Sequence, residues 1–113
     1  ISHSKGLVAI IISQQQVGID IEEISEKAPR VSSKFVSTNN LKALTAEKAT
    51  LIWCCKEAVF KWHQKGKVGF IADIKLHPFE SMERGEITAE FRNTQLILNY
   101  QKIHNHYLVY VCK

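Results

Sequence analysis

Two short segments hold the residues best suited to chemistry. Gly-Ile-Asp-Ile-Glu at residues 18–22 sets two carboxylates, Asp20 and Glu22, two positions apart. Trp-Cys-Cys-Lys-Glu-Ala-Val-Phe-Lys at 53–61 adds a third acid, Glu57, and Lys61 one helical turn beyond it. Carboxylates with a nearby lysine are what a protein needs to hold magnesium against a phosphorylated substrate. The acid oxygens are hard donors for the ion, and the lysine meets phosphate as a positive charge.

The first segment reads as a strand. Val17, Ile19 and Ile21 alternate with Gly18, Asp20 and Glu22, the period-2 pattern of a half-buried β-strand. Residues i and i+2 share a face, so Asp20 and Glu22 project together while the isoleucines enter the core, and Glu23 turns to the opposite side. Two carboxylates held that close repel and call for a compensating cation. A solvated strand face with screened acids is the alternative account.

The second segment reads as a helix. Thr45 suits the N-cap, Ala46, Glu47, Lys48 and Ala49 are good helix formers, and Gly66 suits the C-terminal stop. Ile52, Cys55, Val59 and Trp62 fall at three- and four-residue steps and make a face for the core. Trp53, Glu57 and Lys61 form a neighbouring stripe. As an ordinary i,i+4 pair, Glu57 and Lys61 would contribute only about 0.3–0.5 kcal/mol. The apolar company of Trp53, Ala58, Phe60 and Trp62 favours instead a carboxylate sequestered for chemistry. Cys54 and Cys55 point about 100° apart on a helix, which predicts that one is packed and that neither binds metal.

The remaining elements follow in order. Leu7 to Ser13 is a continuous apolar run that predicts a buried strand, turned by Gln14-Gln15-Gln16 into the strand of Asp20. From Glu23 to Leu44 the pattern is weak: Lys27-Ala28-Pro29 is a break, and Val31, Phe35 and Val36 suggest a short helix. Strands are predicted near Asp73 to Phe79, Glu86 to Arg92, Gln95 to Lys102 and Tyr107 to Cys112. Arg84-Gly85, Arg92-Asn93-Thr94 and His104-Asn105-His106 read as the turns between them, with both histidines exposed. Sequential strands joined by tight turns imply an antiparallel sheet packed against one long helix, an α+β domain.

Composition bounds the answer without choosing it. The 113 residues, 45% of them hydrophobic, suit one small domain with its own core. No run of about 18 apolar residues and no signal-peptide pattern directs the chain to a membrane or out of the cell. Three cysteines without a Cys-x-x-Cys argue against a disulfide framework or a zinc site and fit a reducing cytoplasm. A net charge of +4 favours anionic partners without choosing among them.

Ile-Ser-His-Ser at 1–4, Gly-Ile-Asp-Ile-Glu at 18–22 and the 53–61 segment together resemble the 4'-phosphopantetheinyl transferases. The Ser-His-Ser element ahead of the Asp segment resembles the larger, surfactin-synthetase-activating type. The resemblance implies transfer of the phosphopantetheine arm of coenzyme A to a serine of an acyl or peptidyl carrier protein, in fatty acid, polyketide or nonribosomal peptide biosynthesis. It implies that Asp20, Glu22 and Glu57 coordinate magnesium, which bridges to the pyrophosphate. Lys61 is then a phosphate contact near the reacting centre, and Ser2 and His3 are further contacts to coenzyme A. Glu57 accepts the serine proton, directly or through a metal-bound water. The intermotif stretch would help receive the carrier protein.

The glycines after Lys61 depart from the family pattern. Where relatives run to a short Gly-x-Gly, this chain has Lys65-Gly66-Lys67-Val68-Gly69. Lys65 and Lys67 would suit phosphates, or simply the negative end of the helix. The chain opens at Ile1 within the Ser-His-Ser element, so residues 1–113 are expected to be the C-terminal half of a two-half transferase, completed by an N-terminal half or a homodimer partner through an apolar face.

Two other functions compete. A metal-dependent nuclease would also set acids beside a lysine, but typically as Glu-x-Lys within one strand, whereas here the lysine follows Glu57 by four on a helix. A non-catalytic binding module for an acidic protein fits the charge and leaves the acid clusters unexplained.

Overall fold

The computed structural model describes residues 1–27 and 45–113. Ala28 and Pro29 of the predicted break and the short helix around Val31, Phe35 and Val36 lie outside the described residues. Elsewhere the chain is an α+β fold: one long helix on a five-stranded antiparallel sheet, with a small hairpin on the sheet's other face.

The hairpin is β1 (Ser2–Ser4) and β2 (Leu7–Ala9), followed by β3 (Val17–Glu23), which carries the acids. The helix α1 spans Ala46–His63. Then come β4 (Ile74–Leu76), β5 (Arg84–Phe91), β6 (Thr94–Ile103) and β7 (His106–Cys112). The sheet runs β3-β7-β6-β5-β4, every neighbour antiparallel. Two of these connections, β5 to β6 and β6 to β7, are tight turns, while the longer stretch 77–83 joins β4 to β5. Strand β3 reaches the far edge only through its pairing with the last strand.

Register decides which face the acids take. Gly18 pairs with Val111, Asp20 with Val109 and Glu22 with Tyr107. Those β7 residues belong to the main core, packed with Leu51, Cys55, Ala58 and Val59 of the helix. So the acid face of β3 lies beneath the helix and not in open solvent. The isoleucines enter a separate, smaller core, where Ile19 and Ile21 pack with Leu7, Ala9, Ile11 and Leu108. Both faces of β3 are covered.

Gly18 makes this approach possible. A Cβ built there would stand 2.6 Å from the Trp62 backbone nitrogen and would also overlap the Ala58 carbonyl. Backbone cannot yield as a side-chain tip can, so Gly18→Ala is expected to destabilise the protein by about 3 kcal/mol or prevent folding, as overpacking of a tight core does. Thermal melts would test this; an unchanged melting temperature would show that the helix can back away freely.

Several details differ from the sequence reading. The Leu7–Ser13 run is not one buried strand: β2 stops at Ala9, and Val8, Ile10 and Ile12 are 67%, 63% and 90% exposed. Alternation gives every second residue to the small core, and a two-stranded hairpin leaves its outer side bare. Thr45 is the N-cap, its hydroxyl accepting from the Lys48 backbone N–H at 3.1 Å. The helix, however, stops at His63, with Gln64 left-handed (φ 62°) and Gly66 two residues further on. The Gln64 backbone N–H donates to the Phe60 carbonyl at 3.2 Å, and the Trp62 carbonyl accepts from Gln16 Nε2 at 2.6 Å where a further helical turn would have used it.

Cys54 and Cys55 are both fully buried, not one of the two, because the helix is enclosed on more than one side. Phe70, Leu76 of the edge strand β4 and Phe79 pack against Ile52 and form a second cluster beside the main core. Arg84-Gly85 lies within β5, not in a turn, with Gly85 opposite Tyr100. A Cβ there would come within 3.1 Å of the tyrosine ring, so the glycine makes room for an aromatic neighbour across the strands. At the β6–β7 turn, His104 and Asn105 take left-handed backbone (φ 46° and 61°), while His106 is the first residue of β7 and is buried, not exposed. Among the described residues, no helix is long and apolar enough to cross a membrane.

Candidate active site

Asp20 sits where β3 passes under α1, and its side chain is 3% exposed. A carboxylate so enclosed must be satisfied locally. Its Oδ1 accepts from Lys61 Nζ at 2.8 Å and from Ser2 Oγ at 3.1 Å. Its Oδ2 is buried with no hydrogen-bond partner. Ser2 Oγ in turn accepts from the Ile21 backbone N–H at 3.1 Å, so the hydroxyl pins β1 to β3 and aims Asp20 at the helix. The Cys54 thiol donates to the Asp20 carbonyl at 3.2 Å, and burial holds that thiol well above its ordinary pKa.

The other acids gather around this one. Glu22 lies two residues along the same face, and burial first, then the adjacent Asp20 and the charge of Glu57, push its pKa up to about 8. Glu57 is raised too, by burial first and then by Asp20, with Lys61 opposing. The cluster is thus Asp20 and Glu22 from the strand with Glu57 and Lys61 from the helix, all within electrostatic reach. The lysine does not serve as a simple i,i+4 partner of Glu57; it reaches across to Asp20. His3 is exposed on the opposite side of β1 from Ser2.

Among the described residues, no three of His, Cys, Asp or Glu converge as a ready-made ligand set. The donor chemistry nevertheless suits magnesium. One buried oxygen of Asp20 lacks a partner, the donors are hard oxygens, and Glu22 and Glu57, whose proton affinities are raised by burial and by the nearby Asp20, share a single lysine with it.

This excess of acids has a measurable signature. Glu22 holds its proton to about pH 8 in the folded protein, against an ordinary value of 4.5. Between those values the folded state binds more protons than the unfolded state, so stability present below pH 4.5 is lost as pH rises through about 8. The melting temperature of metal-free protein is therefore expected to fall across that window relative to Glu22→Gln, and magnesium at pH 8 should restore it. Parallel curves for the two proteins, with no response to magnesium, would show that the acids do not interact as placed.

Sequence reasoning missed two contacts, Lys61 to Asp20 and Ser2 to Asp20. The signal for the first was Gly18, on the same strand face as Asp20, where only a closely crossing element needs a glycine. The second had no signal, since nothing in the spacing shows where β1 would lie.

Comparison with known families agrees with this geometry. The family model described as ACPS, 4'-phosphopantetheinyl transferase superfamily, matches residues 16–112. That span contains Asp20, Glu22, Glu57 and Lys61 and begins after Ser2 and His3. A comparison with curated proteins returned no match.

Proposed function

The chain belongs to the 4'-phosphopantetheinyl transferase superfamily, and we propose that it transfers 4'-phosphopantetheine from coenzyme A to a serine of an acyl or peptidyl carrier protein, as a surfactin-synthetase-activating type enzyme does. The observation that carries this reading is the crossing of β3 and α1, where a buried, half-satisfied Asp20 meets Lys61 with Glu22 and Glu57 beside it.

In this reading Asp20, Glu22 and Glu57 hold magnesium, which when bound supplies the charge that keeps a pyrophosphate in place. Lys61 faces the transferring phosphate and offsets negative charge as it develops. Glu57, whose environment favours proton uptake, takes the proton of the carrier serine. The serine oxygen bonds to the phosphorus of the pantetheine arm, the bond from that phosphorus to the bridging oxygen breaks, and 3',5'-ADP leaves. Ser2 holds Asp20 in place. His3, exposed on the opposite side of β1, is the further contact to coenzyme A in this reading.

The test is incubation of the protein with coenzyme A, magnesium and an apo carrier protein, followed by mass spectrometry. Addition of a phosphopantetheine group to the carrier is expected; an unmodified carrier beside intact coenzyme A would sink the proposal. Ile1, Val8, Ile10 and Ile12 are exposed, and in this reading they are the apolar residues that a second copy would cover. Light scattering is expected to report self-association that Ile10→Glu weakens, and a monomer at all concentrations would remove that assignment.

A further inference from the structure

Lys56 precedes Glu57 on α1 and is only 6% exposed. An ammonium so enclosed costs far more to bury than an apolar side chain of similar volume, unless it is put to use. Its Nζ donates to the Phe70 carbonyl at 2.5 Å and to the Ile74 carbonyl at 3.0 Å. Phe70 lies in the segment between the helix and β4, and Ile74 is the first residue of β4. The segment has other fastenings: the Gly69 backbone N–H donates to Asp73 Oδ2 at 2.8 Å, and Arg92 Nη2 donates to the Lys67 carbonyl at 3.0 Å. Its overall path is held without Lys56. What Lys56 adds is a grip on Phe70 itself.

The Phe70 ring packs between two aromatic residues of the helix, 5.5 Å from Trp53 and 5.8 Å from Phe60 by ring centroids. Trp53 stands one turn before Glu57, and Phe60 nearly one turn after it. Positions i−4 and i+3 are the helix neighbours of Glu57, so the spacing sets the three rings on the flank of the helix that Glu57 shares. An apolar wall there excludes water from the acid and narrows the positions its side chain can take.

We propose that Lys56 is a positioning residue for the transfer reaction: by holding the Phe70 and Ile74 carbonyls it seats the Phe70 ring between Trp53 and Phe60, and so fixes the wall against which Glu57 acts. This rests on the functional reading above.

A double-mutant cycle on the full chain tests it, with kcat and KM for coenzyme A measured for wild type, Lys56→Met, Phe70→Leu and the double variant. Lys56→Met is expected to lower kcat about tenfold or more, with KM within about twofold of wild type, because geometry at the reacting centre is lost and not uniform binding. The double variant should be no slower than Phe70→Leu, since both changes release the same ring. Effects that multiply would show that Lys56 acts independently of Phe70 and would overturn the proposal, as would a Lys56→Met enzyme with wild-type kcat. If Lys56→Met fails to fold, Lys56→Arg, which keeps the charge but displaces the carbonyls, takes its place in the same cycle with the same criteria. A wild-type protein that transfers nothing would overturn the functional reading and the proposal with it. An active wild type with independent Lys56 and Phe70 effects would overturn the positioning role alone.

Discussion

Glu57→Gln is expected to abolish phosphopantetheine transfer, by about 10³-fold or more in kcat, in a protein at least as stable as wild type. The magnitude combines loss of a general base, typically 10²–10⁴-fold, with loss of a ligand oxygen. The stability half follows from the neighbours. Glu57 and Glu22 both have raised proton affinities, each partly because the other acids are close, so a neutral amide relieves repulsion without changing shape. Asp20→Ala should be equally inactive, but the structure changes what its melt will look like. Ser2 Oγ and Lys61 Nζ both donate to Asp20, and removing their acceptor should cost about 1–3 kcal/mol. Glu57 is therefore the cleaner probe. Mass-spectrometric transfer assays beside thermal melts decide the matter, and near-normal transfer by Glu57→Gln would remove it from the site.

The helix and the main sheet were legible because their signals are local. Thr45 as N-cap, the three- and four-residue steps of Ile52, Cys55, Val59 and Trp62, and the alternation in β3 each specify one element, and each element formed. What failed was anything set by how elements cross. The acid face of β3 was read as the side away from the core, because alternation fixes which residues share a face but not which face a helix will cover. Cys54, His106 and the Arg84-Gly85 pair went astray for the same reason: their surroundings come from distant chain, namely Tyr107 and Asp20 for the thiol, Glu23 across the strands from His106, and Tyr100 for Gly85. The Leu7–Ser13 run misled because hydrophobicity alone reports that a segment can be buried, not that a partner exists for both its sides. Candidate site residues were legible as types and spacings; their pairing was not.

That pairing reshapes the test of Lys61. As a helix-surface partner of Glu57 it would contribute a few tenths of a kcal/mol, and Lys61→Met would leave the melt almost unchanged. Bound instead to the buried Asp20 at 2.8 Å, it is the counter-charge of an enclosed carboxylate. Breaking a fully buried pair from one side costs about 3–5 kcal/mol, and the cost here should be nearer 1–3, because the lysine side chain is 35% exposed and water can partly replace it. A loss of stability alone therefore says nothing about catalysis. Magnesium separates the two roles, since a cation at Asp20 replaces the lost charge. Lys61→Met is expected to melt early without magnesium, to recover most of its stability with it, and still to turn over about 10²-fold more slowly at saturating magnesium, because the charge missing at the transferring phosphate has not been restored. Lys61→Arg should keep the stability and part of the rate. If Lys61→Met regains wild-type turnover once magnesium has restored its melting temperature, Lys61 is only the counter-ion of Asp20, and the phosphate it was assigned must be met by another residue.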